Sequence, residues 1–267
     1  MKRIINKTSF LKGLLMVLIP VAAVCPATGQ ENSLLKNAKV SIDLGFGLPY
    51  AWAIPEETGK KIKIDQTELT FKSNPNVGLG VILGYSFPFR NTFRLDPEIG
   101  LTYGFTRKLQ VPALGITFEE DYLQIPVGIK FSRAYEGDFY FAHGYMLGYE
   151  FNVLLSSTYK QGGSHLQLPA SFQGNKDLKE AIADLPKLSG NIFLGGYFDF
   201  PKGFYLGARF KFPIELFKLK ATQNNGENFS NTQLDKKFIY PLRALNASLV
   251  EINVGVNIMK WLCGEPS

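Results

Sequence analysis

Cysteine and histidine are scarce in this sequence, and their scarcity limits the chemistry that the chain can carry. Only two cysteines, Cys25 and Cys263, and two histidines, His143 and His165, occur among 267 residues. Two cysteines at opposite ends do not form a disulfide framework, and two distant histidines do not supply the clustered ligands of a metal site. We therefore expect no structural disulfide, no metal and no cofactor.

The sequence also has only a small excess of positive charge. Four of the cations, Lys2, Arg3, Lys7 and Lys12, lie in a leader without acids, and removing them from the net charge of +6 leaves +2. A weakly charged mature chain does not favour a nucleic-acid-binding function. An apolar run from residue 13 to residue 25 follows these cations, which is the pattern of a secretory signal peptide.

The small residues Ala27 and Gly29 place the signal-peptidase site after residue 29. A lipoprotein cut before Cys25 is the alternative, and the branched Val24 and the Ala22 at the usual leucine position disfavour it. Beyond the leader no stretch of about 18 apolar residues occurs, which excludes a membrane-spanning helix. A membrane role would therefore depend on strands.

The sequence does contain a sustained alternation of apolar and polar residues, the period of a strand with two differently solvated faces. In the last segment Val250, Ile252 and Val254 alternate with Glu251 and Asn253. The alternation predicts eight strands: Val40–Leu48, Val77–Phe89, Phe93–Phe105, Leu123–Phe131, Phe139–Phe151, Ile192–Phe200, Phe204–Leu216 and Val250–Ile258.

The connections between these strands alternate in length. Short, turn-rich connections follow the second, fourth and sixth strands, and longer polar ones, at residues 50–76, 107–120, 156–189 and 218–247, follow the odd-numbered strands. Short turns at one rim and long loops at the other are typical of an outer-membrane barrel. Residues 176–188 are predicted to form a short amphipathic helix over the barrel mouth.

Eight antiparallel strands also build soluble carriers of the lipocalin type, so the direction of the apolar face has to be argued. About half of all the glycines, among them Gly78, Gly80 and Gly148, lie at the positions between apolar residues, and small side chains suit a crowded, narrow lumen. Aromatic residues concentrate toward the strand ends, as membrane-interface girdles do. The prediction is an all-β, antiparallel, up-and-down transmembrane barrel of eight strands, with a soluble sandwich as the alternative.

One strand carries a motif that resembles a known family. The run from Asp121 to Phe131 contains Tyr122, Leu123, Ile125, Pro126 and Lys130 at the spacing YL-x-IP-x-x-x-K, which resembles a strand of the PorT-like outer-membrane barrel proteins of Bacteroidetes. This resemblance implies an eight-stranded barrel of the OmpA/OmpX type and carries no catalytic residue. The end of the chain departs from many bacterial barrels because residues 261–267 continue past the last strand.

The inward positions carry charges of both signs, which must pair if they are buried. They are Asp43, Arg94, Asp96, Glu98, Lys130, Glu150, Arg209, Lys211, Glu215 and Glu251. The positions of these residues along the up-and-down strands place some of them at the same level in the barrel. Arg209 and Lys211 are predicted to contact Glu251 and Asp43, and Lys130 is predicted to contact Asp96 and Glu98. We expect ion pairs that plug the lumen, with a transient ion or proton path as the alternative.

An enzyme of the lipid-modifying class would need a histidine beside a serine and an acid. His143 is predicted to face lipid without a serine on its face, and His165 lies in a long loop next to Ser164. The acid run Glu119–Asp121 is better explained as a solvated loop than as a cation site. The sequence therefore favours a protein that is not an enzyme.

The predicted organisation is a signal peptide at residues 1–29, a periplasmic segment at 30–37, the barrel at 38–262 and a tail at 263–267. We expect a monomer in the outer membrane that contacts lipid and lipopolysaccharide, with loop aromatics such as Tyr50 and Trp52 available to envelope partners. A structural, binding or adhesion-type role is the first expectation. An accessory role in type IX-like protein secretion, which the family resemblance implies, and a lipid-modifying activity are the alternatives.

Overall fold

The computed structural model describes residues 37–50, 62–64, 67–69, 72–90, 92–112, 116–135, 141–161, 188–214 and 247–259. The predicted leader, residues 176–187 of the predicted loop helix, His165, Glu215 and the predicted C-terminal tail lie outside these residues. No helix in the described part of the chain is long and apolar enough to cross a membrane.

Eight long strands form the wall of the molecule. They are β1 (Ala38–Pro49), β2 (Asn76–Tyr85), β3 (Phe93–Val111), β4 (Ile116–Tyr135), β5 (Phe141–Gln161), β6 (Leu188–Asp199), β7 (Phe204–Pro213) and β8 (Ser248–Asn257). Four short strands accompany them, at Ile62–Ile64, Thr67–Leu69, Lys72–Ser73 and Phe87–Arg90. The first two of these pair with each other, and the other two pair with β3.

Every long strand pairs antiparallel with its neighbours in sequence, from β1 to β8. The first and last strands also pair, with Asp43 opposite Gly255 and Gly47 opposite Glu251, so the sheet closes on itself. Closure leaves the wall without an unpaired edge, a condition that a sheet must meet to cross a hydrocarbon layer. The predicted eight-stranded barrel is confirmed.

The strand faces separate by polarity in the direction that the glycines predict. On β7, for example, Leu206 and Phe210 point outward and are 41% and 47% exposed, whereas Arg209 and Lys211 point inward and are 5% and 1% exposed. This inside-out distribution is that of a barrel whose outer surface faces lipid. The apolar face is therefore external, and the alternative of a soluble barrel with an apolar lumen is excluded.

A tight turn joins β6 to β7 at Pro201–Gly203. Lys202 and Gly203 have φ angles of 60° and 80°, a region that glycine enters without steric cost. The structure thus places a short turn where the sequence predicts one. The second predicted strand, by contrast, is divided at Ser86 into β2 and the short strand Phe87–Arg90. The backbone N–H of Ser86 still donates to the carbonyl of Asn37, in register with β1.

The predicted connection at residues 107–120 is wrong as a loop. β3 continues to Val111 and β4 begins at Ile116, and these segments pair residue by residue, with Arg107 opposite Glu120 and Leu109 opposite Phe118. β5 likewise continues beyond residue 156 to Gln161, opposite Ile116. In the β3 and β4 segments apolar residues such as Leu109 and Phe118 are buried inside, and polar residues such as Lys108 and Glu119 lie on the other face. The outward apolar pattern that reveals the lower strands is therefore reversed there.

Strand irregularities separate the lower wall from this upper extension. The register shifts between Gly104 and Arg107 on β3, and between Leu154 and Ser156 on β5, opposite Tyr122 and Asp121 of β4. A shift of this kind moves later side chains to the opposite face of the strand. The shift on β3 explains why Arg107 is buried. In lower β3 the odd-numbered residues point outward, and without the shift Arg107 would do so too.

Candidate functional site

The interior of the barrel is the candidate functional site, and its charges lie in layers. In the layer nearest the short turns, Lys39 Nζ donates to Asp96 Oδ2 at 2.5 Å and lies 4.0 Å from Asp199. Lys130 Nζ lies 2.9 Å from Glu98 Oε1. Because Asp96 is fully buried, its carboxylate depends on this pairing.

Lys130 has a second set of contacts in the same layer. Its Nζ lies 4.8 Å from the ring centre of Tyr197 and 4.9 Å from that of Tyr205. Such contacts of an ammonium with ring faces are attractive and hold the lysine toward the barrel axis. The side chain therefore connects the carboxylate of Glu98 on β3 with rings on β6 and β7.

Apolar side chains block the middle of the lumen. Met146, Phe193 and Tyr197 form a buried cluster there. The ring of Phe193 lies against the backbone of Gly148, where a Cβ atom would come within 2.4 Å of its Cζ. Only glycine permits so close an approach, so Gly148 provides the space that the ring of Phe193 fills.

The main ion-pair cluster lies between this block and the long-loop rim. Lys211 Nζ lies 2.6 Å from Glu150 Oε2 and 2.5 Å from Glu251 Oε2. The other oxygen of Glu150 accepts hydrogen bonds of 2.9 Å from both Gln124 Nε2 and Asn191 Nδ2. One buried ammonium thus joins two carboxylates on different strands, and neutral amides satisfy the remaining lone pairs.

Glu251 also links this cluster to the layer below. Its Oε1 lies 3.6 Å from Arg209 Nη1 and accepts a hydrogen bond of 3.0 Å from Asn253 Nδ2. Asn253 Nδ2 also donates to Asp43 Oδ2 at 2.9 Å, and Tyr205 Oη donates to Asp43 Oδ1 at 2.6 Å. The network therefore runs without interruption from β7 through β8 to β1.

Little space remains inside the wall. The described cavity has a volume of about 20 Å³ and is lined by Glu98, Lys130, Met146, Phe193 and Arg209, among others. A volume of that size accommodates about one water molecule. An eight-stranded barrel is just wide enough for side chains to fill its interior, and in this barrel they do.

The structure places most of the predicted lumen residues on the inner face. Asp43, Asp96, Lys130, Glu150, Arg209, Lys211 and Glu251 are buried, and Glu98 and Arg94 are partly buried. The predicted contacts of Arg209 and Lys211 with Glu251 and of Lys130 with Glu98 are present. Asp43 is held by Tyr205 and Asn253, and Asp96 by Lys39.

Sequence reasoning did not include Lys39, Gln124, Tyr205 and Asn253 in the network. Lys39 stands one residue before the first predicted strand. Its odd residue number nevertheless places it on the same strand face as the inward Asp43. The uncharged members carry no signal of their own, but each occupies an inward position of the alternation. A prediction that included every polar residue at an inward position, and not only the charged ones, would have included these four residues.

The upper extension has its own polar contacts. At the bulge, Asp121 accepts hydrogen bonds of 2.7 Å from Thr106 and from Ser156, which ties three strands together. On the inner face, Arg107 lies 4.5 Å from the ring centre of Tyr122, whose hydroxyl donates to Glu120 at 2.6 Å. The acids at 119–121 are therefore engaged within the sheet and do not form an open loop.

Tyr50 lies at the end of β1 on the long-loop rim. Its hydroxyl donates to the carbonyl oxygen of Lys211 at 2.6 Å. Burial raises the pKa of Tyr50 to about 12 because the phenolate would be desolvated there. The ring thus ties the rim of β1 to β7 above the ion-pair cluster.

His143 lies on the outward face of β5, opposite Arg133 on β4 and Phe198 on β6. Its ring centre is 6.3 Å from that of Phe198. Within the described ranges, no group of three or more His, Cys, Asp or Glu side chains is arranged to hold a metal ion.

Comparison with known proteins gives one solved structure. The crystal structure of the outer membrane protein OprG from Pseudomonas aeruginosa is similar over 83% of this chain and 91% of its own, with 12% sequence identity and a TM-score of 0.32. No protein-family profile matches the sequence, and no curated protein matches it. The resemblance to the PorT-like family therefore stays a prediction.

Proposed function

We propose that this protein is a closed outer-membrane barrel that acts through its external surface as a structural or binding scaffold. The observation that carries the proposal is the combination of an apolar outer wall with a lumen filled by paired charges and by Phe193. A filled lumen gives no solute path, so binding would take place outside the wall. Exported loops on a rigid scaffold are the usual carriers of such specificity.

The height of the apolar wall supports a bilayer-spanning position. On β4 the outward residues between Asp121 and Arg133 are all apolar, from Leu123 to Phe131. At about 3.3 Å per residue and a tilt of about 40°, the eight steps from Leu123 to Phe131 span about 20 Å and the twelve from Asp121 to Arg133 about 30 Å. These values bracket the height of about 25 Å of the lipid-facing band in outer-membrane barrels.

The upper extension is the surface that we assign to partners. Residues 106–111 of β3 and 116–121 of β4 rise about 20 Å along the strands above the apolar band, from a rise of about 3.3 Å per residue. The contacts of Asp121 with two neighbouring strands hold this hairpin in place. A rigid polar projection suits protein or glycan contacts outside the membrane, with the short turns in the periplasm.

Two measurements test the proposal. Envelope fractionation with a comparison of heated and unheated gel mobility should show outer-membrane recovery and a heat-dependent shift. In planar bilayers the purified chain should leave the baseline conductance unchanged. Soluble recovery, or stable channels of the wild-type protein, would contradict it.

Partner binding is tested by replacing residues 107–120 with a two-residue hairpin turn. The shortened barrel should keep its heat-dependent mobility shift and lose the proteins that crosslink to the wild-type chain in intact cells. The control is Lys202→Asn, which changes a cation in the short turn at the opposite rim and should keep the crosslinked proteins. Unchanged crosslinking of the shortened barrel would show that partners bind elsewhere.

The second candidate is an accessory role in type IX-like secretion, supported by the strand motif from Tyr122 to Lys130. Deletion of the gene should then leave secreted cargo in the periplasm. Normal secretion would remove this candidate. A lipid-modifying activity is the least supported candidate, since His143 lies beside Arg133 and Phe198, and an unchanged lipid profile in His143→Ala would end it.

A further inference from the structure

The outward face of the barrel carries very few ionisable side chains. Below Asp121, the outward positions of the eight described strands carry apolar residues, tyrosine or glycine except at one place, where Arg133 on β4 and His143 on β5 stand directly opposite each other. Both lie near the short-turn rim. Basic and aromatic side chains near a membrane interface lie at the level of the lipid headgroups.

Aromatic side chains flank this pair on both sides at the same height. Phe93 on β3 is opposite Arg133, and Phe198 on β6 is opposite His143. The guanidinium carbon of Arg133 lies 5.8 Å from the ring centre of Phe93. Four neighbouring strands thus present a row of ring, guanidinium, imidazole and ring.

The wall above this row is strongly apolar. Phe131 stacks on Phe93 with ring centres 5.6 Å apart, and the next outward residues on β5, Tyr145 and Leu147, are 75% and 62% exposed. A phospholipid placed with its headgroup at the row would lay its acyl chains against this surface. The arrangement therefore matches both parts of a lipid molecule.

We infer that Arg133 and His143 form a binding site for the phosphate of an anionic phospholipid, phosphatidylglycerol, in the periplasmic leaflet. Arginine presents donors in a planar fork that matches phosphate oxygens, and imidazole adds a further donor. A lipid with a net negative charge suits this site better than a zwitterionic one, whose ammonium group would meet the guanidinium. The assignment of the leaflet rests on the proposed orientation in the outer membrane.

The test is native mass spectrometry of the detergent-solubilised full chain, titrated with phosphatidylglycerol or with phosphatidylcholine of the same acyl chains. The wild-type barrel should retain one phosphatidylglycerol at least about tenfold more tightly than phosphatidylcholine. Arg133→Gln should lose this preference. The matched control is Lys202→Asn, which removes a cation from the turn at the same rim, and it should keep the preference.

Equal retention of the two lipids by the wild-type chain would overturn the inference, as would an Arg133→Gln variant that binds like the wild type. Loss of the preference in the Lys202→Asn control would also overturn it, because general rim charge would then explain the binding. The heat-dependent mobility shift is measured on each variant. If the wild-type chain shows the mobility shift but no preference for phosphatidylglycerol, the lipid site is refuted. The proposed barrel function is not affected by that result.

Discussion

Removal of the Lys211 ammonium should strongly destabilise the barrel. The side chain is 1% exposed and holds Glu150 and Glu251 at 2.6 and 2.5 Å. In Lys211→Met the two carboxylates lose their shared cation, although Gln124, Asn191 and Arg209 still contact them. Loss of one partner from a buried ion pair costs about 3–5 kcal/mol, and we expect the free energy of unfolding to fall by that amount.

The assay is reversible urea unfolding in lipid vesicles, followed by the mobility difference between folded and unfolded chains. Lys72→Met is the control, because Lys72 is exposed and its loss should change stability by less than about 0.5 kcal/mol. Adding Glu150→Gln to Lys211→Met should recover about 1–3 kcal/mol, since coupled neighbours are non-additive. A loss below about 1 kcal/mol in Lys211→Met, or no recovery in the double variant, would refute the assigned role of this cluster.

Three further predictions concern the packing of the lumen and its rim. Phe193→Ala should lower the free energy of unfolding by about 3–5 kcal/mol because it empties the centre of the lumen, and the outward Phe198→Ala should cost less than half as much in the same assay; equal losses would contradict the central role of Phe193. Gly148→Val should prevent the heat-dependent mobility shift, since its Cβ would meet the Phe193 ring at 2.4 Å, whereas Gly196→Ala, with 3.6 Å to the nearest backbone oxygen, should fold. Tyr50→Phe should lose about 1 kcal/mol with its hydrogen bond to the Lys211 carbonyl. Because burial raises the pKa of Tyr50 to about 12, the stability difference should be constant below pH 10 and decline as the pH rises toward 12; a difference that grows in this interval would be inconsistent with a buried, protonated phenol.

Pairing partners inside the lumen were only partly predictable. Lys130 and Glu98, or Lys211 and Glu251, share a face and a height that strand order alone suggests. Lys39 and Asp96, by contrast, lie on strands that are not neighbours, and β2 separates them. Their contact crosses the lumen, so it depends on the diameter and stagger of the closed barrel, which no local pattern encodes.

The upper extension shows a different limit. Residues 106–111 and 116–121 keep a period of two, but Leu109 and Phe118 are buried on the inner face and the other face is polar. A search for strands with an apolar outer face therefore ends below them. They continue a hairpin that is already paired below, and the bulge between Gly104 and Arg107 changes which residues of β3 face inward.

The residue order alone indicates the eight strands of the wall, the inward and outward faces of their lower parts and the turn at Pro201–Gly203. Side chains alternate strictly along a strand, so one apolar and one polar face leave a direct record in the residue order. The folded barrel is needed to know which carboxylate meets which cation, how far the strands rise above the apolar band and that Phe193 fills the lumen against Gly148. These features depend on distances between strands far apart in sequence, and such distances exist only once the sheet has closed.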